Sequence, residues 1–347
     1  MTDAPETGPA APERNRSKRE APEADRDGGP REGAVDLREL RRVPVADRAT
    51  RVSGSSFARP PASGGSFRDF YEALPHVLAA ESFRAVVGAL VAARRRRRAC
   101  VWMLGGHVVK TGLSRVLIDL MERGVVSHVA MNGAAAIHDY EICRWGRTSE
   151  DVASGLAEGS FGMARETGRD MNLAIREGVR SGMGLGAALV EDLAGRTDHR
   201  CPELSLIRAT RERGVSLSVH TAIGAEITHQ HPEADGAAIG LGSHRDFLQL
   251  AGVLLRLDDG GVVLNIGSAV LLPEVFLKAL TVARNLGGGR PRQFTTADFD
   301  MIRHYRPRVN VVERPVQTGG GHGYQLTGHH ELMIPLLAWA VAGEVEE

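Results

Sequence analysis

The chain has 347 residues, 42% of them hydrophobic, with 43 basic and 43 acidic side chains. That length allows one large or two ordinary domains, and the charge balance gives no reason to expect a nucleic-acid or anionic-membrane partner. Cys100, Cys143 and Cys201 form neither a CxxC pair nor a disulfide framework, which fits a reducing cytoplasm, and no apolar run reaches the ~18 residues of a spanning helix.

Met1 to Asp27 mixes acidic, basic and proline residues without an apolar core, unlike a secretory leader. Residues 1–65 are so poor in apolar groups that a disordered arm is expected, with a transient helix at Ala34 to Arg42. One domain is expected over 66–347. Helical spacing begins at Phe70, Leu74, Val77 and Leu78 and resumes at Phe83, Val86, Val87, Leu90 and Val91. The Arg94 to Arg98 run that follows reads as a solvated helix end, where cations suit the macrodipole.

Alternating units come next. Ala99 to Leu104 reads as a strand, Leu113 to Arg123 as a helix, Val125 to Met131 as a strand and Ala134 to Ile142 as a helix start. Residues 149–195 read as helix broken by glycines, Pro202 to Arg213 as a helix opened by proline, and Val215 to Val219 as a strand. Phe247 to Leu257 is expected to be helical, Val262 to Ile266 a strand, Pro273 to Leu286 a helix, Val309 to Val312 a strand and Leu332 to Val341 a helix. Strands separated by such helices predict an α/β, doubly wound, Rossmann-like and mostly parallel sheet with helices on both faces.

Three turns follow strands, at Gly105-Gly106-His107, Asn132-Gly133-Ala134 and Gly267-Ser268. Glycines there let the backbone turn tightly and approach a phosphate, and strand C-terminal ends are where open α/β sheets bind ligands. The spacing is not GxGxxG, so an ordinary strand-to-helix turn stays equally open for the first. Asp139 reads either as an acceptor for ribose hydroxyls or as a surface carboxylate. Only Lys110 and Lys278 occur after residue 65. Lys110 in the first glycine turn could meet phosphate or act as an amine nucleophile, whereas Lys278 reads as a solvated helix residue. His220, Glu226, His229 and His231, with His322, His329, His330 and Glu331, could supply zinc or iron ligands or line a polar cleft. No residue is assigned as a metal ligand.

In block order the chain resembles deoxyhypusine synthase, over roughly residues 67–343. The matching blocks are LGGHVVKTG, MNGAAAIHDYE, Gly159-Ser160-Phe161 with Glu166, Cys201-Pro202-Glu203, Gly224-Ala225-Glu226, VVLNIGSAV and Pro335-Leu336-Leu337. The resemblance implies a homotetramer with sites between subunits and NAD-dependent oxidation of a polyamine. Its aminobutyl group then passes through an enzyme lysine imine to a protein lysine. It also implies an NAD pocket lined by Gly106, His107, Thr111, Asn132, Gly133 and Ala134, to which the strand-end turns add Gly105, Gly267 and Ser268 as expected cofactor contacts. Glu226, His229 and Asp139 would act on the small amine, since carboxylates hold ammonium groups by charge-assisted bonds. The position of the imine-forming lysine is Leu271 here, and a leucine forms no Schiff base. The expected protein is therefore a divergent, bacterial-type relative that binds NAD and a small amine in the cytoplasm. A metal-dependent enzyme and a non-catalytic ligand-binding paralogue are the competing readings.

Overall fold

A computed structural model describes residues 35–345, so residues 1–34 of the expected arm lie outside the described residues. The chain divides into two units, Met1–Arg51 and Val52–Glu347. The described part of the first holds two 3-10 turns, Leu37–Glu39 and Val45–Asp47, and the former takes the place of the helix expected at Ala34 to Arg42. The second unit includes residues 52–65, which precede its first helix. Its first residues are tied in by backbone bonds from His76 N to Ser56 O and from Arg59 N to Ala73 O.

In the second unit α1 (Phe67–Ala73) and α2 (Leu78–Arg95) lead into β1 (Cys100–Leu104), α3 (Gly106–Lys110) and α4 (Ser114–Glu122). Then come β2 (His128–Asn132), α5 (Gly133–Trp145), α6 (Val152–Glu158), α7 (Arg165–Arg180) and α8 (Leu185–Gly195). They are followed by α9 (Leu206–Glu212), β3 (Ser216–His220), α10 (Gly236–Leu254), β4 (Gly261–Ile266) and α11 (Leu271–Leu286). The chain closes with β5 (Phe294–Asp300), α12 (Tyr305–Pro307), β6 (His322–Thr327) and α13 (His330–Val345).

The six strands form one parallel sheet in the order β3-β2-β1-β4-β5-β6. β1 is buried along its whole length, as a strand covered on both faces must be. Its side chains alternate between two cores. Cys100, Trp102 and Leu104 join the cluster that contains α2 and α4, while Val101 and Met103 pack with residues of α10 and α11. The strand order reverses between β1 and β4, and that is the switch point of the doubly wound sheet. Among the described residues no helix is long and apolar enough to cross a membrane.

Four element expectations are corrected. The run Val309 to Val312 is a helical turn, Arg308–Glu313, not a strand. Val309 and Val311 are buried, but a short apolar run does not distinguish a strand from a buried helical turn, and the place beside β5 belongs to β6. β5 and β6 were not foreseen, because FTTADFD and HGYQLT carry polar residues inside the sheet. One of these, Asp298, is held by Asn265 Nδ2 at 2.8 Å and Gln325 Nε2 at 3.2 Å on the flanking strands. The expected helix Pro202 to Arg213 breaks into a 3-10 turn, Pro202–Leu204, and α9, because Ser205 caps α9. Finally, α10 begins at Gly236, well before Phe247. Asp235 caps it, and Gly242 is small because a Cβ there would lie 2.5 Å from Leu185 Cδ2.

Candidate functional site

A cavity of about 730 Å³ opens at the C-terminal ends of β1 to β3. Its main wall is one face of α5, where Ala134, Ile137, His138, Glu141 and Trp145 recur at helical spacing. Lys110 at the end of α3, the 147–152 loop, the start of α7 and the 225–227 loop complete it.

α5 begins where Asn132 turns out of β2 and its Oδ1 accepts Ala135 N at 2.9 Å. That bond makes Asn132 an N-cap, so its side chain serves the helix. Gly133 is required by a neighbour: a Cβ there would lie 2.4 Å from Glu226 Cγ. Glu226 is thereby laid against the first turn of α5, with its side chain 7% exposed. Its Oε1 accepts Ala222 N at 3.2 Å, whereas the buried Oε2 has no donor. Burial raises its carboxyl above the usual range, opposed by the Ala222 N–H. His229 Nδ1 stands 3.1 Å from that Oε2. The same Nδ1 accepts Gly224 N at 3.1 Å, so it carries a lone pair there and cannot be the donor that Oε2 lacks. Burial also lowers the proton affinity of His229.

A second chain of contacts crosses the cavity wall. Thr167 Oγ1 donates to Glu141 Oε1 at 2.8 Å, and Thr148 Oγ1 donates to Glu141 Oε2. The Thr148 hydroxyl therefore accepts from His138 Nδ1, 2.7 Å away, which fixes the proton on Nδ1 and leaves Nε2 bare. Burial, and next the charge of Lys110, push His138 down to about 4, so the ring is neutral.

The remaining expected residues are elsewhere. Asp139, beside His138 in sequence, faces the other way and is fully buried. It accepts Ser205 Oγ at 2.6 Å, Leu206 N at 2.7 Å and Ile207 N at 3.1 Å, so it anchors the start of α9 and offers a ligand nothing. Burial pushes it up to about 6 against those three bonds. Gly105, Gly106, His107, Gly267 and Ser268 lie at the switch point, outside the cavity lining. Gly105 N donates to Ile266 O at 2.9 Å, and a Cβ on Gly105 would come within 2.0 Å of Gly267 O. Protein atoms thus occupy the space expected for a phosphate beside that glycine. Thr111 Oγ1 folds back onto His107 O and Val108 O, and Ser268 Oγ accepts Leu272 N. His330, 1% exposed, packs over Gly267 and donates Nε2–H to Phe299 O at 3.1 Å, while its Nδ1 has no partner. The exposed His107 ring is 5.8 Å from it.

The other histidines disperse. His220 bonds Ser218, His231 donates to Gly162 O, and His322 and His329 are exposed. Among the described residues no group of three or more His, Cys, Asp or Glu is placed to hold a metal. Of the residues singled out in the sequence, the cavity gathers Ala225, Glu226, Ala134, His138, Lys110, Phe161 and Glu166. The sequence reading missed Glu141, Thr148 and Thr167. Only the spacing of Glu141 from Ala134 and His138 along one helical face could have pointed to it.

No protein-family model matches the chain, and no curated protein matches it. Among solved structures it is similar to ArgZ, an arginine dihydrolase from the ornithine–ammonia cycle in cyanobacteria, at 16% identity and TM-score 0.45, covering 78% of this chain and 34% of that one. The chain thus spans about a third of that protein's length. It is also similar to a candidate LOR/SDH protein from Methanococcus maripaludis at 12% identity and TM-score 0.45, covering 77% of this chain and 70% of that one. A third is a candidate deoxyhypusine synthase from Entamoeba histolytica at 8% identity and TM-score 0.44, covering 81% and 94%.

Proposed function

We propose that this protein is a Rossmann-like enzyme whose cavity along α5 binds a small amine and whose switch point holds NAD. Glu226 carries the reading. Its Oε2 is buried, lacks a donor and faces a ring nitrogen that is itself an acceptor. A buried oxygen left unpaired costs about 1–3 kcal/mol, and an ammonium group supplies both the missing N–H and a counter-charge. His138, neutral with a bare Nε2, is the lining group available to accept a hydrogen bond or a proton, whereas the Nδ1 lone pair of His229 is already taken by Gly224 N.

The fit of NAD rests on the switch point, the ligand crevice of open α/β sheets, and on the unpartnered Nδ1 of buried His330 there. The space beside Gly105 is filled by Gly267, and Ser268 Oγ already accepts Leu272 N, so Gly106 and the exposed His107 would hold it, and when bound it would supply a hydride acceptor. Leu271 opens α11 without an amine, so transfer through a lysine imine at that position forms no part of the proposal. A homotetramer and a cytoplasmic location belong to the same proposal. Sedimentation tests the first, and the three free thiols support the second.

Calorimetry on the full chain tests the reading with NAD and 1,5-diaminopentane. Absence of heat and of a thermal shift at millimolar NAD removes the cofactor. Equal diamine affinity in wild type and Glu226→Gln removes the amine site.

A further inference from the structure

The cavity lining carries charges of both signs that do not neutralise one another. Its cations are Lys110 and Arg147, and its carboxylates are Glu141, Glu150, Glu166 and Glu226. Two of the carboxylates are engaged by protein donors. Glu141 is held through both oxygens by threonine hydroxyls, and Glu150 accepts Gly162 N at 2.9 Å. Glu226 Oε2 is buried and unpartnered. Lys110 makes no hydrogen bond or ion pair with any described residue, although it shares a cavity with these glutamates. It lines the cavity together with His138 of the α5 wall. His138 is itself neutral there and gives Lys110 no counter-charge. Along α5 the wall from Ala134 to Trp145 advances about 16 Å at 1.5 Å per residue, so the cavity is an elongated groove.

A diamine would satisfy Glu226 and bring its second ammonium into a groove that already holds Lys110 and Arg147, with the exposed Glu166 as the remaining carboxylate not engaged by a protein donor. An anion would satisfy Lys110 and meet the unpaired Glu226. A ligand with charges of both signs on one chain meets both the buried Glu226 Oε2 and Lys110. We infer that the groove takes a zwitterionic aminocarboxylate chain, its ammonium on Glu226 Oε2 and its carboxylate on Lys110. This rests on the proposed amine site and narrows it. Lysine suits the anionic end as a compact charge on a flexible stem that reaches the ligand without a fixed geometry. The other titratable and charged groups of the lining are His138 and Glu141 from α5, Arg147 and Glu150 from the loop after it, Glu166 from α7, and Glu226.

The test is calorimetry on the full chain with matched pairs of equal length: 4-aminobutanoate with 1,4-diaminobutane, 5-aminopentanoate with 1,5-diaminopentane, and 6-aminohexanoate with 1,6-diaminohexane. In at least one pair the aminocarboxylate is expected to bind about tenfold or more tightly than its diamine. Lys110→Met should erase that preference without weakening the diamine, and Lys110→Arg should keep it. Glu226→Gln should weaken both members. Lys110 is exposed and partnerless, so its variants should melt with the wild type, which separates lost binding from lost fold. Diamines binding as tightly as their partners, or a preference that survives Lys110→Met, would overturn the inference and leave the amine site standing. Failure of every probe to bind would overturn both.

Discussion

The buried histidines of β2 and β3 should make folding acid-sensitive by an amount that one substitution can isolate. Ser216 Oγ, His128, Ser218 Oγ and His220 form a hydrogen-bonded row, with contacts of 2.7, 2.9 and 2.9 Å. Ser218 has a single proton to place between two ring nitrogens, so it donates to one and accepts from the other, and the row is complete with both rings neutral. Burial pushes His128 down to about 3, helped by His220 and Arg256, and burial alone pushes His220 down to about 4. A base whose folded pKa is depressed gives stability that is complete above its unfolded value of 6.5 and is lost as pH falls from there toward 3 or 4. Between about pH 7.5 and pH 5 linkage gives each ring a loss of about 2 kcal/mol. Asp246, pushed by burial up to about 7, runs the other way, so the wild-type curve alone does not decide the matter. The decisive measurement is urea unfolding of wild type and His128→Gln at both pH values. The variant should be less stable near pH 7.5 and should lose about 2 kcal/mol less on acidification. Parallel curves would refute the assignment of a neutral, buried His128.

Three further outcomes follow from the site. Asp139→Ala should destabilise the fold by about 3 kcal/mol or more, since Ser205 Oγ and two backbone N–H groups lose a buried acceptor. Thermal melting measures that loss, and diamine affinity should hold in the folded fraction. Gly133→Ala should displace Glu226 from α5 and lower diamine affinity about as far as Glu226→Gln does, at about 1–3 kcal/mol of stability. Calorimetry beside a melting curve separates the two effects. Thr148→Val removes the acceptor of the His138 Nδ1 proton. Nitrogen NMR should show the Nδ1–H tautomer in wild type and its loss in the variant.

The half of the sheet around β1 and β2 was readable because CVWML and the strand after it are apolar runs ended by small residues, and burial on both faces demands such runs. β5 was hidden because Asp298 looks unfit for a core. Its partners Asn265 and Gln325 stand far off in sequence, and only strand pairing at a common register brings them together. The site divides in the same way. Glu226 announced itself as an acid after a glycine turn. Glu141 becomes a site residue only when α7 presents Thr167 to it, a contact between elements that local patterning does not encode. Asp139 misled because its nearest partners, in α9, lie more than sixty residues downstream in sequence.

Because the wall of the groove is cut from a single helix, it works as a ruler. Positions 134, 138, 141 and 145 of α5 are graduations about 6, 4.5 and 6 Å apart along one edge. A charge introduced at one of these marks would stand at a fixed step along the wall, with the sheet beneath untouched. A one-residue insertion in α5 would instead rotate every later mark by about 100° out of the groove.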